Sequence, residues 1–281
     1  MSEVEPSRVA SAVRSARRYR DVDAALVRRL AEEEAPRARA EAEAVKRVKR
    51  RLHQAVVAYR SSAGANDGLA TLRSTWQGRL DGPAFRDACI AILRRHASTR
   101  ERLADPDAFF AAIWSGTGGP PRSLVDLGCG LGPLLLPWMG LPPDAVVRAV
   151  DVDEAQLAVV DAFLSLVGQP HAVEVGDLAA DGWHAEPVDV ALLLKLVPLL
   201  DRRRRGAAHR LLAALPARHA VVSFPRRSLG GRGMGMERTY RERLATLVRD
   251  LGERVTAVAE ASVPSELVFV LTLAPLQASD A

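Results

Sequence analysis

From about residue 120 onward, short runs of β-branched or aliphatic residues alternate with stretches long enough to form helices. Apolar runs separated by helices are typical of a parallel sheet that is covered on both faces. The last two runs follow a helical stretch and are joined by only a few residues, which predicts a closing antiparallel hairpin. The runs cover residues 123–127, 146–150, 172–175, 188–194, 220–224, 255–259 and 267–273. We therefore expect an α/β domain with a seven-stranded, mostly parallel sheet.

The first 95 residues are predicted to be helical. Positions 45, 48, 52, 56 and 59 are apolar at spacings of three and four, which indicates an amphipathic helix. An earlier helix is predicted to be capped by Asp21 and to end near Pro36. Cations between the apolar positions would form a ridge on the outer face of the amphipathic helix: Lys46, Arg47, Lys49, Arg50 and Arg51. We divide the chain into a helical domain, residues 1–93, and an α/β domain, residues 94–281.

Positive charge is concentrated in two blocks of the chain. Residues 1–60 contain 15 lysines and arginines against nine acids, and residues 198–243 contain 12 arginines against three acids. Because the whole chain carries a formal charge of only +5, the remainder is acidic. Two basic blocks indicate a polyanionic partner that is met by two surfaces. Solvated arginine-rich faces are the alternative, and charge alone does not choose between them.

Cysteine content and hydropathy exclude several classes of protein. Cys89 and Cys129 are the only cysteines, so a disulfide framework or a multi-cysteine metal site cannot form, and we expect no metal. No apolar run approaches the roughly 20 residues that cross a bilayer. The charged N-terminus also lacks the apolar segment of a secretory signal. We expect a cytoplasmic monomer that does not bind membranes.

A glycine-rich loop, Asp-Leu-Gly-Cys-Gly-Leu-Gly at residues 126–132, directly follows the first predicted strand. Glycines in such a loop allow the backbone to approach a ligand closely. The second predicted strand is followed by Asp151, where an acid could bind a ribose diol. Asp177 follows the third predicted strand and could accept a hydrogen bond from an adenine amino group. The loop and the two acids predict a site for an adenosine-containing cofactor.

A dinucleotide site is the main alternative for this loop. Its Gly-x-Gly-x-x-Gly pattern would place the third glycine at residue 133, which is proline here. Asp126 would also repel a pyrophosphate, whereas an acid at that position suits the ammonium group of a methionine moiety. The loop therefore favours S-adenosylmethionine over a nicotinamide dinucleotide.

Four longer segments narrow the interpretation further. They are His-Ala-Ser-Thr-Arg-Glu-Arg-Leu at 96–103, Val-Asp-Leu-Gly-Cys-Gly-Leu-Gly-Pro at 125–133, Leu-Lys-Leu-Val-Pro-Leu-Leu at 194–200 and Val-Ser-Phe-Pro-Arg-Arg-Ser-Leu-Gly-Gly-Arg-Gly-Met-Gly-Met at 222–236. In these segments, and in their order, the chain resembles the aminoglycoside-resistance 16S rRNA methyltransferases of the Arm/Rmt/Kgm type. The last segment is the most specific to that family.

The resemblance implies a Rossmann-like class I methyltransferase domain preceded by a smaller all-helical domain. It implies methylation of N7 of guanine 1405 in helix 44 of 16S rRNA, within the 30S subunit, with S-adenosylmethionine as the donor. The cofactor contacts that it implies are His96, Arg102, Asp126, Gly128, Gly130, Asp151, Asp177, Lys195 and Leu196, the last two beside the methyl group. The rRNA contacts that it implies are Lys46, Arg47, Lys49, Arg50, Arg51, Arg226, Arg227, Arg232 and Met236.

The proposed chemistry agrees with the absence of an obvious acid–base pair in the sequence. N7 of guanine has a free lone pair in the ring plane, so its attack on a methyl group needs no general base, and catalysis would depend on alignment. Two alternatives stay open from the residues. One is a methyltransferase of the same fold that acts on another RNA or a small molecule, and the other is a non-catalytic ribosome-binding factor.

Overall fold

The structure is a computed structural model, and it describes residues 4–55, 65–96, 99–181, 183, 186–226 and 236–276. Its centre is one seven-stranded sheet in the order β3-β2-β1-β4-β5-β7-β6. The strands are β1 (Ser123–Leu127), β2 (Val146–Asp151), β3 (His171–Val175), β4 (Val188–Leu194), β5 (Ala217–Pro225), β6 (Val255–Ala261) and β7 (Glu266–Leu273). β7 runs antiparallel to its neighbours β5 and β6, and the other pairings are parallel. This sheet confirms the predicted fold class, and each predicted apolar run lies on one of its strands.

The helices of the described residues cover both faces of the sheet and form the N-terminal part of the chain. They are α1 (Pro6–Arg14), α2 (Ala24–Glu34), α3 (Glu41–Ala55), α4 (Ala65–Thr75), α5 (Pro83–Leu93), α6 (Pro106–Thr117), α7 (Leu136–Met139), α8 (Glu154–Val167), α9 (Val197–Arg203), α10 (Ala207–Ala214) and α11 (Met236–Leu251). The predicted cap of the second helix was wrong by two residues. Asp23, not Asp21, accepts hydrogen bonds from the backbone N–H groups of Ala25 and Leu26. No helix in these described ranges is long and apolar enough to cross a membrane.

Helices α1–α3 have a hydrophobic core of their own. It contains residues such as Val9, Val27 and Val48, and it includes Val152 from the turn after β2. Helices α4 and α5 instead share the core of the sheet, where Phe85 stacks on Phe163 of α8. The division after residue 93 stays a prediction, and this packing groups α4 and α5 with the sheet.

The turn after β2 is also paired with the N-terminal chain through its backbone. The N–H of Asp23 donates to the carbonyl of Val152 at 2.8 Å, and the N–H of Glu154 donates to the carbonyl of Asp21 at 2.9 Å. Val22 and Asp153 form an isolated antiparallel bridge between these bonds. The N-terminal helices are therefore fixed to the turn that follows Asp151.

Candidate active site

A cleft opens at the carboxyl ends of β1, β2 and β4. The strand order reverses between β1 and β4, and ligands of doubly wound sheets bind at such a reversal. Residues predicted from sequence form about half of the lining: His96, Gly128, Gly130, Asp151, Lys195 and Leu196. The fold therefore brings six of the nine predicted cofactor residues together at one cleft.

Two glycines of the 126–132 loop adopt backbone conformations that favour glycine. Gly128 has φ +64° and Gly130 has φ +51°. A β-carbon on Gly128 would lie 2.7 Å from Cδ1 of Leu196, and one on Gly130 would lie 2.9 Å from Cε1 of His96. The loop backbone thus forms one wall of the cleft, with no space for a side chain at either glycine.

Substitution of Gly130 by alanine is expected to weaken cofactor binding at least about tenfold, because the new methyl group must push His96 or the loop into the cleft. Calorimetric titration with S-adenosylhomocysteine measures this effect. Gly140 provides the matched control, since it also has a positive φ but a β-carbon there would meet no atom within 4 Å. Equal affinity losses in Gly130→Ala and Gly140→Ala would contradict a contact between the cofactor and the loop at Gly130.

Asp151 stands at the end of β2 inside the cleft. Its Oδ2 accepts a hydrogen bond from the N–H of Gly130 at 2.8 Å, and its Oδ1 accepts one from the N–H of Asp153 at 3.0 Å. Burial raises the pKa of Asp151, and the bond from Gly130 opposes that rise. A carboxylate has about four acceptor positions, so Asp151 can accept a further hydrogen bond from a ribose hydroxyl.

Asp126 lies beneath the loop and is 3% exposed. Burial raises the pKa of Asp126 to about 7, although the nearby Arg102 partly offsets the effect. The carboxyl group is therefore divided between its neutral and ionised forms at neutral pH. A cationic group that enters the cleft near it would favour the ionised form.

Glu266 was not predicted from the sequence, yet it contacts two of the predicted cofactor residues. Glu266, the first residue of β7, is fully buried and accepts bonds from Nε of Arg102 at 2.7 Å and from Nη2 at 3.3 Å. Nζ of Lys195 lies 3.2 Å from Oε1 of Glu266 and 2.6 Å from Oε2 of Glu101. Arg102 and Lys195, both predicted from sequence to bind cofactor, thus converge on one carboxylate. An acid directly before an apolar run was the available signal.

Lys195 follows β4 in a left-handed conformation with φ +60°. Its N–H donates to the carbonyl of Ser223 at 3.1 Å and to Oγ of Ser223 at 3.0 Å. The hydroxyl of Ser223 donates in turn to Glu266. A non-glycine residue held in this conformation is characteristic of a functional turn, because the surrounding structure must stabilise it.

His96 is buried against Gly130. Burial and the nearby charge of Arg102 lower the pKa of His96 to about 4, so the ring is neutral at pH 7. Burial also raises the pKa of the Cys129 thiol well above its ordinary value, so Cys129 is not a thiolate nucleophile.

Asp177 was predicted to bind adenine, yet its carboxylate is used within the protein. Oδ2 accepts from Nε and Nη2 of Arg29, and Oδ1 accepts from Nη2 of Arg203 and from the N–H of Ala179. A carboxylate has about four acceptor positions, and these bonds occupy them. Gly176 and Leu178, on either side of Asp177, line the cleft. A direct bond to adenine would have to displace one of these donors, and the adenine contact of Asp177 stays a prediction.

The predicted cationic ridge of α3 is only partly available. Lys46 and Arg50 are exposed, and Lys49 is half-buried. Arg47 pairs with Glu43 and Glu34, and Arg51 pairs with Glu33 and Glu34.

Of the predicted rRNA contacts in the second basic block, Arg226 is also paired within the protein. Arg226 donates to the carbonyls of Glu266 and Val263 and pairs with Glu237, so its guanidinium ties the β6–β7 hairpin to α11. Met236 is the half-buried first residue of α11. Arg227 and Arg232 lie outside the described residues. Within the described ranges, no group of three or more histidine, cysteine or acidic residues could hold a metal ion.

Comparison of this chain with known proteins supports the family that the four sequence segments indicate. A family model described as ribosomal RNA methyltransferase (FmrO) matches residues 14–270. The 16S rRNA (guanine(1405)-N(7))-methyltransferase of Frankia casuarinae is 40% identical over 266 residues, which cover 94% of this chain and 92% of the relative. The protein of the same name from Micromonospora echinospora is 37% identical over 268 residues, 94% of this chain and 95% of the relative.

A solved structure is similar over nearly the whole fold. The crystal structure of 16S rRNA methyltransferase RmtF in complex with S-adenosyl-L-homocysteine has a TM-score of 0.83 and 32% sequence identity, and the match covers 98% of this chain and 100% of RmtF. The family match, the sequence identities and the shared fold agree, and the chain belongs to the FmrO family of ribosomal RNA methyltransferases.

Proposed function

We propose that this enzyme transfers the methyl group of S-adenosylmethionine to N7 of guanine 1405 in helix 44 of 16S rRNA, within the 30S subunit. The modification would confer resistance to aminoglycosides. The observation that carries the proposal is the cleft, where a glycine wall, Asp151 and the Lys195 turn meet at the strand reversal. The names of relatives that are up to 40% identical over 94% of the chain support the choice of base and atom.

The residues of the cleft fit S-adenosylmethionine. Gly128 and Gly130 place backbone in the lining of the cleft, and Asp151 has acceptor positions for a diol. Val152 and Leu178 supply apolar walls that suit a heteroaromatic base. Asp126 and Arg102 are buried and do not belong to the lining of the cleft. We propose that Asp126 nevertheless binds the ammonium group of the methionine portion, and that Arg102, which also pairs with Glu266, binds its carboxylate. We propose that Asp177 acts on the adenine side through Arg203 instead of by direct contact.

The chain has to align the reactants and exclude water rather than move a proton. The cofactor supplies a methyl group on a positively charged sulfur. The N7 lone pair of guanine accepts that methyl group without losing a proton, so no residue is needed as a general base. Lys195 cannot take this role while two carboxylates bind its ammonium group. Leu196 packs against Gly128 at the cleft and excludes water from the reacting atoms.

Two surfaces would hold the rRNA. The first is the outer face of α3, where Lys46 and Arg50 are exposed and available for phosphates. The second is the segment 226–236, whose sequence includes Arg227 and Arg232. We propose that the helical part of the chain, residues 1–93, binds the 30S subunit, that residues 94–281 bind the cofactor, and that the enzyme works as a cytoplasmic monomer.

The proposal predicts methylation of assembled 30S subunits and not of naked 16S rRNA. The test uses S-adenosylmethionine with a radioactive methyl group, followed by cleavage at 7-methylguanine and primer extension. A stop at guanine 1405 is expected with the wild-type chain. Asp151→Ala is expected to reduce the signal at least about a hundredfold, since the loss of a charged hydrogen-bonding partner costs on the order of 3 kcal/mol.

Three results would each reject part of the proposal. Methylation at another nucleotide would reject the choice of base. Transfer to naked rRNA with equal efficiency would reject the 30S subunit as substrate. Binding of 30S subunits without any methyl transfer would favour a non-catalytic ribosome-binding factor.

A further inference from the structure

The cleft has a wall residue that is held in place by the N-terminal helices. Arg203, the last residue of α9, lines the cleft, and its Nη2 lies 2.6 Å from Oδ1 of Asp177. The other oxygen of Asp177 lies 2.5 Å from Nη2 of Arg29 on α2. The side chains of Arg203, Asp177 and Arg29 are 11%, 5% and 20% exposed. An ion-pair triad with little exposure to solvent therefore joins α2 to the wall of the cleft.

Arg29 is itself fixed by partners on the N-terminal side. Its Nη1 donates to Oε1 of Glu33 at 2.6 Å, while Nε and Nη2 both donate to Asp177. Oε2 of Glu33 accepts from Nη1 of Arg51 on α3 at 2.7 Å. Nη2 of Arg51 then donates to the carbonyl of Arg203 at 3.3 Å. These contacts form a closed ring that runs from Arg29 through Glu33, Arg51, Arg203 and Asp177 back to Arg29. The ring fixes the position of the Arg29 guanidinium before any ligand binds.

Burial makes the middle of this triad sensitive to the loss of one partner. Asp177 has one oxygen that is bonded by two nitrogens of Arg29. Removal of Arg29 would leave that oxygen buried without these donors, which is costly in a site of low dielectric constant. The carboxylate would turn, and Arg203 would lose the geometry that places it in the wall.

We infer that Arg29, a residue of the N-terminal helices, is a positioning residue of the cofactor cleft that acts through Asp177 and Arg203. The inference rests on the proposed function, because it takes the cleft as the site of S-adenosylmethionine. Asp177 lies between Gly176 and Leu178, both in the lining, so the affected part is the side of the cleft assigned to adenosine. The N-terminal helices thus serve cofactor binding as well as the rRNA surface.

Two ligands identify which end of the cofactor depends on Arg29. S-adenosylhomocysteine contains adenosine and an amino-acid portion, whereas methylthioadenosine lacks the amino-acid portion. In Arg29→Gln, the dissociation constants of both ligands are expected to rise by the same factor, at least about fivefold. In Arg102→Gln, only S-adenosylhomocysteine should bind more weakly. Arg28→Gln, an exposed neighbour on the same helix, is the matched control and should bind both ligands as wild type does.

A double variant keeps the test decisive if Arg29→Gln folds poorly. Because Arg29 acts through Asp177, Arg29→Gln combined with Asp177→Asn is expected to bind both ligands no more weakly than Asp177→Asn alone. Affinities that fall additively would overturn the inference, as would wild-type affinity in Arg29→Gln. Both of those outcomes leave methylation by the wild-type enzyme, and hence the proposed function, intact. Failure of the wild-type chain to bind either ligand would instead overturn the proposed function.

Discussion

Substitution of Glu266 by glutamine is expected to abolish methyl transfer and to lower the melting midpoint by roughly 10 °C. Glu266 is fully buried and neutralises Arg102 and Lys195, whose side chains are 3% and 11% exposed. Glutamine has the same shape but no charge, and its amide N–H₂ would face groups that are themselves donors. Removal of one partner from a buried ion pair costs about 3–5 kcal/mol. The two cations proposed to border the cofactor would also lose their common anchor.

The pH dependence of this effect has a definite sign. Burial alone would raise the pKa of Glu266, but Arg102 and Lys195 more than reverse that, and the folded-state pKa is lowered below its ordinary value of 4.5. The ionised carboxylate therefore stabilises the fold at pH values above about 4.5, and this contribution is lost as the pH falls through the folded-state pKa. The difference in melting midpoint between wild type and Glu266→Gln should be constant from about pH 6 to 8 and should shrink in acid.

Glu260 provides a matched control on the same hairpin. It pairs with Arg241 at the surface, where the two side chains are 37% and 45% exposed. Exposed pairs contribute about 0–1 kcal/mol, so Glu260→Gln should change the melting midpoint by no more than a few degrees. Thermal unfolding and the 30S methylation assay measure both variants. A Glu266→Gln protein as stable and as active as Glu260→Gln would show that the buried cluster has no such role.

The sheet could be predicted because its signal is local. The inner strands β1, β4, β5 and β7 are largely buried, so their residues are apolar over a short run regardless of which strands become their neighbours. The edge strands β3 and β6 are largely exposed, and their β-branched and small apolar residues were the signal there. The glycines at 128 and 130 and the acid at 151 were predictable for the same reason, since each directly follows or ends a strand that points to the cleft.

Glu266 could not be assigned in this way because its partners are distant in sequence. Arg102 precedes it by 164 residues, and only the tertiary fold brings the two side chains within 2.7 Å. The arginines show the same limit. The family resemblance implied rRNA contacts for Arg51 and Arg226, but the fold pairs Arg51 with Glu33 and ties Arg226 to the β6–β7 hairpin. The composition gives the number of cations, but only the tertiary structure shows which of them are paired within the protein and which are available to a ligand.

Asp126→Asn is expected to stabilise the fold while it weakens cofactor binding. Burial raises the folded-state pKa of Asp126 from 3.8 to about 7. Such a shift makes the folded protein less stable as the pH rises from about 4 to about 7, because the unfolded chain ionises first, and the cost is constant at higher pH. Asparagine removes this cost. We expect Asp126→Asn to match wild type near pH 4 and to exceed it by at least about 1 kcal/mol at pH 8.

Cofactor binding should respond in the opposite direction. The ionised form of Asp126 is the one that would bind the ammonium group of the methionine portion. The affinity of the wild-type enzyme for S-adenosylhomocysteine should therefore rise as the pH increases through about 7, and this dependence should vanish in Asp126→Asn together with at least about tenfold of affinity at pH 8. Calorimetric titration and thermal unfolding across the same pH range measure the two effects.

Asp151→Asn is the control that shows whether the expected behaviour is specific to Asp126 or common to buried acids near the cleft. Asp151 accepts hydrogen bonds from the N–H groups of Gly130 and Asp153, and asparagine can offer an oxygen to only one of them. This variant should lose affinity without a gain in stability, because the lost hydrogen bond offsets the relief of a raised pKa. If Asp126→Asn behaves in the same way, or if it binds S-adenosylhomocysteine with wild-type affinity, Asp126 is not the partner of the ammonium group. A gain in stability paired with a loss of affinity is the result expected of a buried charge that destabilises the fold and binds the ligand.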